Sequence, residues 1–420
     1  MLRVFTVIRH AKDPSFFYGG LWSGNFYPAL RRLGCDLVES QVDLLPTSRF
    51  MHVADKFKPQ ELEVRSRTTD RILDEVRRVH REQPIDLFLS YFYNAHFDPA
   101  GFDEIHRLGI PTVNFYCNSI YQFELVAAIA AKAQFSWHAE RDARDLYISA
   151  GARPIWVQMG ADPDVYCSVE GLQRAAKACF VGQRYADRDR LLAHLIRAQV
   201  PVDIYGAGWG APEPEIEEEE QDDSAEDIST EAASFYLGRR VQQPGGWRAY
   251  LHVMQENVTR AGAIGGIART IKQWQYRKGT RQLAPILATA AKGFAPDICQ
   301  TFSEYEVVLN FSHVWADGRP GAELIPHVRL RDFEAPMCQT CYLTGHTDEI
   351  AEFYNIGREI DTYRDAEELV DKVRFYLDRP DAAEQLRTAG WERARRDHTW
   401  DRRFQTLFEK IGLSAKSARS

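Results

Sequence analysis

The chain has no apolar run approaching the roughly 18 consecutive residues that a membrane-spanning helix needs, so no such span is expected. Cysteine is sparse: seven residues, scattered from Cys35 to Cys341, cannot supply the dense cross-links of a small secreted scaffold. Several, such as Cys117 in TVNFYCN and Cys179 in ACFVG, sit in apolar strand-like runs, where a thiol behaves as a small buried hydrophobe. Cys338 and Cys341 form a lone C-x-x-C. With no second pair to complete a zinc site, packing is the expected role. No internal repeat is visible. Nor is there a large excess of one charge: 52 Lys and Arg stand against 60 Asp and Glu in 420 residues, a net −8. At 45% apolar and 12% aromatic, the composition excludes a disordered or fibrous chain, and the length suggests two or three domains.

The net charge is a local property. Ten acidic residues and no basic one lie between Glu213 and Asp227, and without them the chain would carry +2. From Arg239 to Lys292 there are ten Lys or Arg and one acid, Glu256, a local +9. Residues 239–292 therefore form either an anionic contact surface (phosphorylated glycan, membrane or nucleic acid) or a solvated loop neutralised by the acidic run, and the second reading is the expectation. The start, MLRVFTVIRHAKD, meets charge at Arg9 and Lys12 and reads as a first strand, not a signal peptide. A cytoplasmic or membrane-peripheral location is expected.

What is abundant is an alternation of short apolar runs with helical patterns. In residues 1–170, strands are expected at Leu2–Ile8, Asp36–Ser40, Ile85–Tyr91, Thr112–Tyr116, Gln134–Trp137 and Ile155–Gln158. A glycine-bearing loop is read at Gly19–Gly24, and helices at Phe26–Leu33, Pro59–Arg81 and Ala100–Leu108. Residues 171–420 repeat the pattern: a strand at Ala178–Val181, a loop at Gly182–Asp187, a helix at Asp189–Ala198 and a strand at Val202–Tyr205. After an acidic and basic insertion at about 211–300 the pattern resumes. Strands are then expected at Glu306–Phe311 and Cys341–Thr344, helices at Arg331–Cys338 and Thr347–Tyr354, and a helical stretch over Ala366–Lys410. This order predicts an α/β protein of two doubly wound Rossmann-like domains, with ligands in a cleft at the C-terminal ends of the strands. The C-terminal helix is expected to pack back on the N-terminal domain.

Several ordered blocks carry a resemblance: VVLNFSHVWADG, LRDFEAPMCQTCYLT, DEIAEFYNIGREIDTYRDAEELVDKVRFYLDRP and RRDHTWDRRF, spanning Val307–Arg403. Upstream stand CFVGQRYADRDRLLAHL and VDIYGAGW. Together they resemble the donor-binding half of the CgeB-like (spore-maturation-type) group of GT-B glycosyltransferases. The first half of the chain is similar in architecture only. The resemblance implies transfer of a sugar from a UDP- or GDP-linked donor to a hydroxyl acceptor, such as a glycan or small molecule, with no resident cofactor.

Diphosphates are held by glycine-permitted backbone approach, by helix N-termini and by Arg forks. Gly182-Gln183-Arg184 follows a strand and opens a helix, so Arg184 either reaches the phosphates or caps its own loop. Gly206 and Gly208 end the next strand, for ligand approach or for a plain turn. The resemblance implies that Glu334, in RDFEAP, accepts from the ribose hydroxyls, whereas a bare reading gives a helix-start carboxylate stabilised by the dipole. Arg331 is its phosphate partner. Pro326 stands where many retaining GT-B families have another Glu, with Glu323 nearby but out of register. Asn310 and His313 end the EVVLNF strand at the donor site. On the acceptor side lie His10, Gly19, Gly20, His96 and Asn118, the last where related enzymes often show an acidic pair. Inversion would require His10, His96 or a carboxylate as base. Retention would let the departing diphosphate work, with Arg184 and Arg331 stabilising its charge, and is slightly favoured. Two D-x-D strings, Asp162-Pro163-Asp164 and Asp187-Arg188-Asp189, fall in a turn and at a helix start, neither apt for a diphosphate-bound metal, so metal-independent transfer is expected.

Overall fold

A computed structural model describes residues 1–12, 20–210 and 247–413. The chain divides into two compact units, the first holding Met1–Asp162 together with the segment that starts at Thr399, the second holding the described residues from Pro163 to His398. The division thus falls before the expected boundary at 170, and the last helix leaves the expected C-terminal domain to join the first unit.

In the first unit, β1 (Arg3–Val7), β2 (Asp36–Glu39), β3 (Leu87–Ser90), β4 (Thr112–Tyr116), β5 (Phe135–His138) and β6 (Pro154–Trp156) form one parallel sheet in the order 2-1-3-4-5-6. The chain leaves β1 to pair on one side with β2 and crosses to the other with β3, so the switch point lies between β1 and β3. Strands covered on both faces can be apolar throughout, and β3 and β4 are buried at every position.

The helix Leu21–Arg32 begins earlier than the expected Phe26 and contains both Gly24 and Pro28, residues that read as breakers in isolation. Burial overrides them: Trp22, Phe26, Ala29 and Leu30 all face the core. The C-terminal helix Trp400–Ile411 closes over this face. Trp400 Nε1 donates to Asn25 Oδ1 at 2.9 Å, Phe404 lies edge-on to Phe26 at 5.2 Å, and Arg32 forks between Asp162 and Asp401. Each large ring buried this way contributes about 1.5–3 kcal/mol.

In the second unit, β7 (Ala175–Val181), β8 (Val202–Tyr205), β9 (Ala291–Gly293), β10 (Tyr305–Leu309), β13 (Tyr342–Gly345) and β14 (Asp361–Tyr363) form a second parallel sheet in the order 14-13-10-7-8-9. A hairpin of β11 (His313–Trp315) and β12 (Leu324–Pro326) stands apart from it. The switch point is between β7 and β10. The helices Arg188–Arg197, Ala366–Asp378 and Pro380–Asp397 pack around a core of Phe180, Leu192, Ile204, Val307, Leu309, Leu343 and Val373.

Two further segments depart from the sequence pattern. Only a 3-10 turn, Glu349–Glu352, occupies the helix expected at Thr347–Tyr354. The segment expected as a solvated loop is helical from Trp247 to Ala288, broken at Gly262, whose φ of 72° is not helical. Its C-terminal end belongs to the core through Leu287, and β9 completes the sheet edge, so the expected insertion at 211–300 ends well before 300. The acidic run Glu213–Asp227 and residues 239–246 lie outside the described residues.

Candidate functional site

The ends of β7 and β8 meet at two glycines, one after each strand. Gly182 N donates to Tyr205 O at 2.9 Å, which brings the ends of β7 and β8 together. At Gly206, φ is +118°, and a Cβ would stand 2.4 Å from the Gly182 carbonyl oxygen. Only glycine fits there, so Gly206 serves the close approach of two backbones. Gly208, also at positive φ, continues the turn, and Trp209 Nε1 donates to the same Gly182 oxygen at 2.7 Å.

This arrangement presents Gln183 outward and folds Arg184 inward. The Arg184 side chain is almost fully buried, donating to Asp189 Oδ2 at 3.3 Å and to the Thr280 carbonyl. It ties the loop to the long helix, the loop-holding alternative open in the sequence. The guanidinium that sequence reasoning missed is Arg188, in the first turn of the helix Arg188–Arg197. It is buried, donates through one nitrogen to Gln183 O at 2.9 Å, and its Nε has no partner. Burial first, then the neighbouring Arg329 cation, pushes its pKa down to about 9. Arg329 donates to His313 O at 3.0 Å, and the guanidinium carbons of Arg188 and Arg329 lie 5.7 and 5.9 Å from the Tyr185 ring centre. Each nearby carboxylate has one oxygen engaged, Asp187 Oδ2 with His313 Nδ1 at 2.6 Å and Asp189 Oδ2 with Arg184, while both Oδ1 atoms are buried without a hydrogen bond and Asp187 offsets part of the Arg188 charge. Two arginines are therefore packed together with Asp187 offsetting only part of the charge, since burial and the mutual repulsion outweigh it at Arg188, and an anion joining them would relieve that cost. The signal for Arg188 was present in the sequence as the middle residue of a string read only for its two acids.

Opposite, at the β10 side of the switch point, the helix Arg331–Met337 is held at its start by Asp332. The buried Asp332 carboxylate accepts from Arg329 N, Tyr342 Oη, Thr344 Oγ1 and Asn310 Nδ2. Burial pushes its pKa up against the pull of those donors. Asn310 is thereby spent on orienting this helix. Arg331 Nη1 donates to Glu334 Oε2 at 2.7 Å, and the phenol of Tyr166, pushed up by burial and by Glu334, completes the group. His313 caps a cavity of about 180 Å³ lined also by Asp187, Ser312, Gly345, His346 and Tyr363, at the C-terminal ends of β10, β13 and β14. Its hydrogen bond to Asp187 raises the imidazole pKa.

In the first unit, His10 and His96 stand at the β1–β3 switch point, with ring centres 4.2 Å apart. His10 Nε2 donates to Tyr91 O at 2.6 Å and its ring stacks on Tyr91. His96 Nδ1 accepts from Tyr93 N, which leaves Nε2 as the donor to Ser48 Oγ at 3.0 Å. Burial lowers the His10 pKa to about 4 and that of His96 well below its usual value. Both imidazoles are thus neutral and committed to the fold. Asn118 precedes the short helix Ser119–Gln122, whose first amides are held by the buried Glu140. Gly20 opens the helix Leu21–Arg32 and accepts from Ser23 Oγ, and Gly19 lies outside the described residues. Of the D-x-D acids, Asp162 is buried against Arg32, and Asp187 and Asp189 are paired as above.

A family model described as glycosyl transferase-like matches residues 242–409, the stretch that contains Arg329, Arg331 and Glu334. No curated protein matches the chain. Among solved structures, HepE (Alr3699) from Anabaena in complex with UDP and glucose is similar over 98% of this chain and 99% of its own, with a TM-score of 0.52 and 12% identity. AviGT4, a glycosyltransferase involved in avilamycin A biosynthesis, gives a TM-score of 0.55 at 13% identity over 98% and 97%. Sucrose-phosphate synthase from Thermosynechococcus elongatus gives 0.52 at 11% identity over 98% and 99%. The fold is GT-B: two Rossmann-like domains, each with a parallel sheet.

Proposed function

We propose that the protein is a glycosyltransferase that takes its sugar from a nucleotide-diphosphate donor, UDP- or GDP-linked, and passes it to a hydroxyl acceptor. The observation that carries this reading is the buried Arg188 with the half-buried Arg329 against it, beside the Gly182 loop at the sheet's switch point. A diphosphate supplies the negative charge that this pair needs beyond what Asp187 gives. The GT-B fold, the glycosyl transferase-like match and the UDP and glucose bound to HepE agree with it. Glu334 receives the ribose hydroxyls, with Arg331 beside it, and His313 and its cavity border the same site. Transfer is metal-independent, because the arginines do the neutralising that a divalent cation would otherwise do. It proceeds with retention: His10 and His96, neutral and hydrogen-bonded into the fold, leave the departing diphosphate to take the acceptor proton. The chain belongs with the CgeB-like group and works on the cytoplasmic side of the cell.

Slow release of free UDP or GDP from the matching donor, without acceptor, is the direct test. The wild type should release nucleotide, and Glu334→Ala should need more donor to do so. Absence of release from every nucleotide sugar, with the protein folded, would leave a binding module on the same fold as the better account.

A further inference from the structure

After the break at Gly262, the long helix runs to Ala288 with its inner face pinned to the second unit. Gly266 lies against the Val258 backbone, where a Cβ would come within 2.5 Å. Asn257 donates to Thr270 and Gln273 across the same seam. Arg269 forks onto Asp317 at 2.8 Å, Tyr276 meets Trp315 edge-on at 5.1 Å, and the Thr280 carbonyl receives Arg184.

The outer face has no such partner among the described residues. At 3.6 residues per turn, positions 264, 267, 271, 274 and 278 fall within an arc of roughly 80°. They carry Ile264, Ile267, Ile271, Trp274 and Lys278, and the four apolar side chains are 88%, 50%, 51% and 48% exposed. Isolated exposed apolar residues are ordinary, but an aligned row of three isoleucines and a tryptophan marks an interaction surface. The charge around it is of one sign. From 263 to 288 the helix carries Arg269, Lys272, Arg277, Lys278 and Arg281 and no acid. Lys272, Lys278 and Arg281 are exposed, and the Lys278 ammonium lies 5.2 Å above the Trp274 ring.

We infer that this face docks on an anionic lipid surface, the helix lying in the plane of the headgroups with the Ile264–Trp274 row sunk among the acyl chains. An apolar stripe bordered by lysine and arginine, with tryptophan at the boundary, is the pattern of a helix held in a membrane interface. Two other occupants fit less of it. The acidic run Glu213–Asp227 matches the cations but offers the stripe a single large aliphatic residue, Ile216. Nucleic acid would likewise match the charge and leave three isoleucines in water. A bilayer satisfies both halves of the surface, and the helix is too polar to cross it. The inference does not depend on sugar transfer.

The full chain is sedimented with vesicles of phosphatidylcholine alone and of phosphatidylcholine with an equal part of phosphatidylglycerol. Wild type should pellet only with the anionic vesicles. Replacing Ile267 and Ile271 together by asparagine should weaken that binding at least about tenfold, since each isoleucine gives up apolar burial. Lys278→Gln and Arg281→Gln should each weaken it about fivefold, the worth of one cation near such a surface. All these side chains point outward, so melting temperature and UDP binding, measured in parallel, should stay at wild-type values. Three results would overturn the inference: wild type remaining in the supernatant with both vesicles, the double asparagine variant pelleting as well as wild type, or vesicle binding seen only after residues 213–227 are deleted. The last would make the acidic run the occupant of this face. None of the three bears on UDP binding.

Discussion

Replacing Arg188 by methionine should separate ligand binding from stability, because the two effects have opposite signs. In the ligand-free protein this guanidinium makes one hydrogen bond to a carbonyl and lies near a second cation, Arg329. A pKa held down to about 9 leaves the guanidinium charged at neutral pH but makes that charge more costly in its site than in water. At 1.36 kcal/mol per pH unit the penalty is on the order of 5 kcal/mol. Methionine fills the space against Phe180 and Tyr185 without that charge, while one hydrogen bond worth about 1 kcal/mol is lost. The free variant should therefore be as stable as wild type or more so in urea. Binding of UDP should move the other way. A charge-assisted hydrogen bond contributes about 1.5–3 kcal/mol, so the dissociation constant should rise roughly tenfold to a hundredfold. Urea unfolding and isothermal titration with UDP read the two quantities on one preparation. A variant that is destabilised by several kcal/mol and binds UDP as well as wild type would refute the reasoning, making Arg188 a structural cation.

Glu334→Ala should weaken UDP binding by about tenfold or more, because it removes the proposed ribose acceptor and frees the Arg331 cation that now rests on it, and titration calorimetry would show it. Gly206→Ala should cost about 3 kcal/mol in urea unfolding, since alanine is strained at φ +118° and its Cβ would strike the Gly182 carbonyl. The His313 imidazolium is stabilised by Asp187, so its folded-state pKa is above the unfolded value. Its contribution to stability is fully present below the unfolded value of about 6.5 and is lost as pH rises through the folded value. A pH series of melting temperatures should show that loss in wild type and lack it in His313→Asn.

The alternation of apolar runs and helical patterns carried the fold class and most of both sheets, because a parallel sheet buried on both faces writes itself as short continuous apolar segments. Edge strands such as Ala291–Gly293 were not legible, being short and carrying Lys292 outward. The early start of the Leu21–Arg32 helix was hidden by Gly24, whose local preference yields to the burial of Trp22 and Phe26 against distant residues. The loops at the ends of β7 and β8 were legible in the sequence, since glycines mark them. Which arginine enters the site could not be read from order along the chain. Arg184 precedes the helix and Arg188 lies inside its first turn, and only the packing of Phe180 and Tyr185 decides which is left short of partners. Asn310 reads as a ligand contact until Asp332, far along the chain, is seen to claim it.

The central claim is that the Arg188–Arg329 pair holds a nucleotide diphosphate. Titration calorimetry of UDP and GDP against wild type and Arg329→Met tests it most directly. One of the two nucleotides should bind wild type, with affinity falling as salt is raised, and Arg329→Met should weaken it roughly tenfold to a hundredfold with the fold unchanged. Equal binding by wild type and variant, or no heat from either nucleotide, would contradict the account.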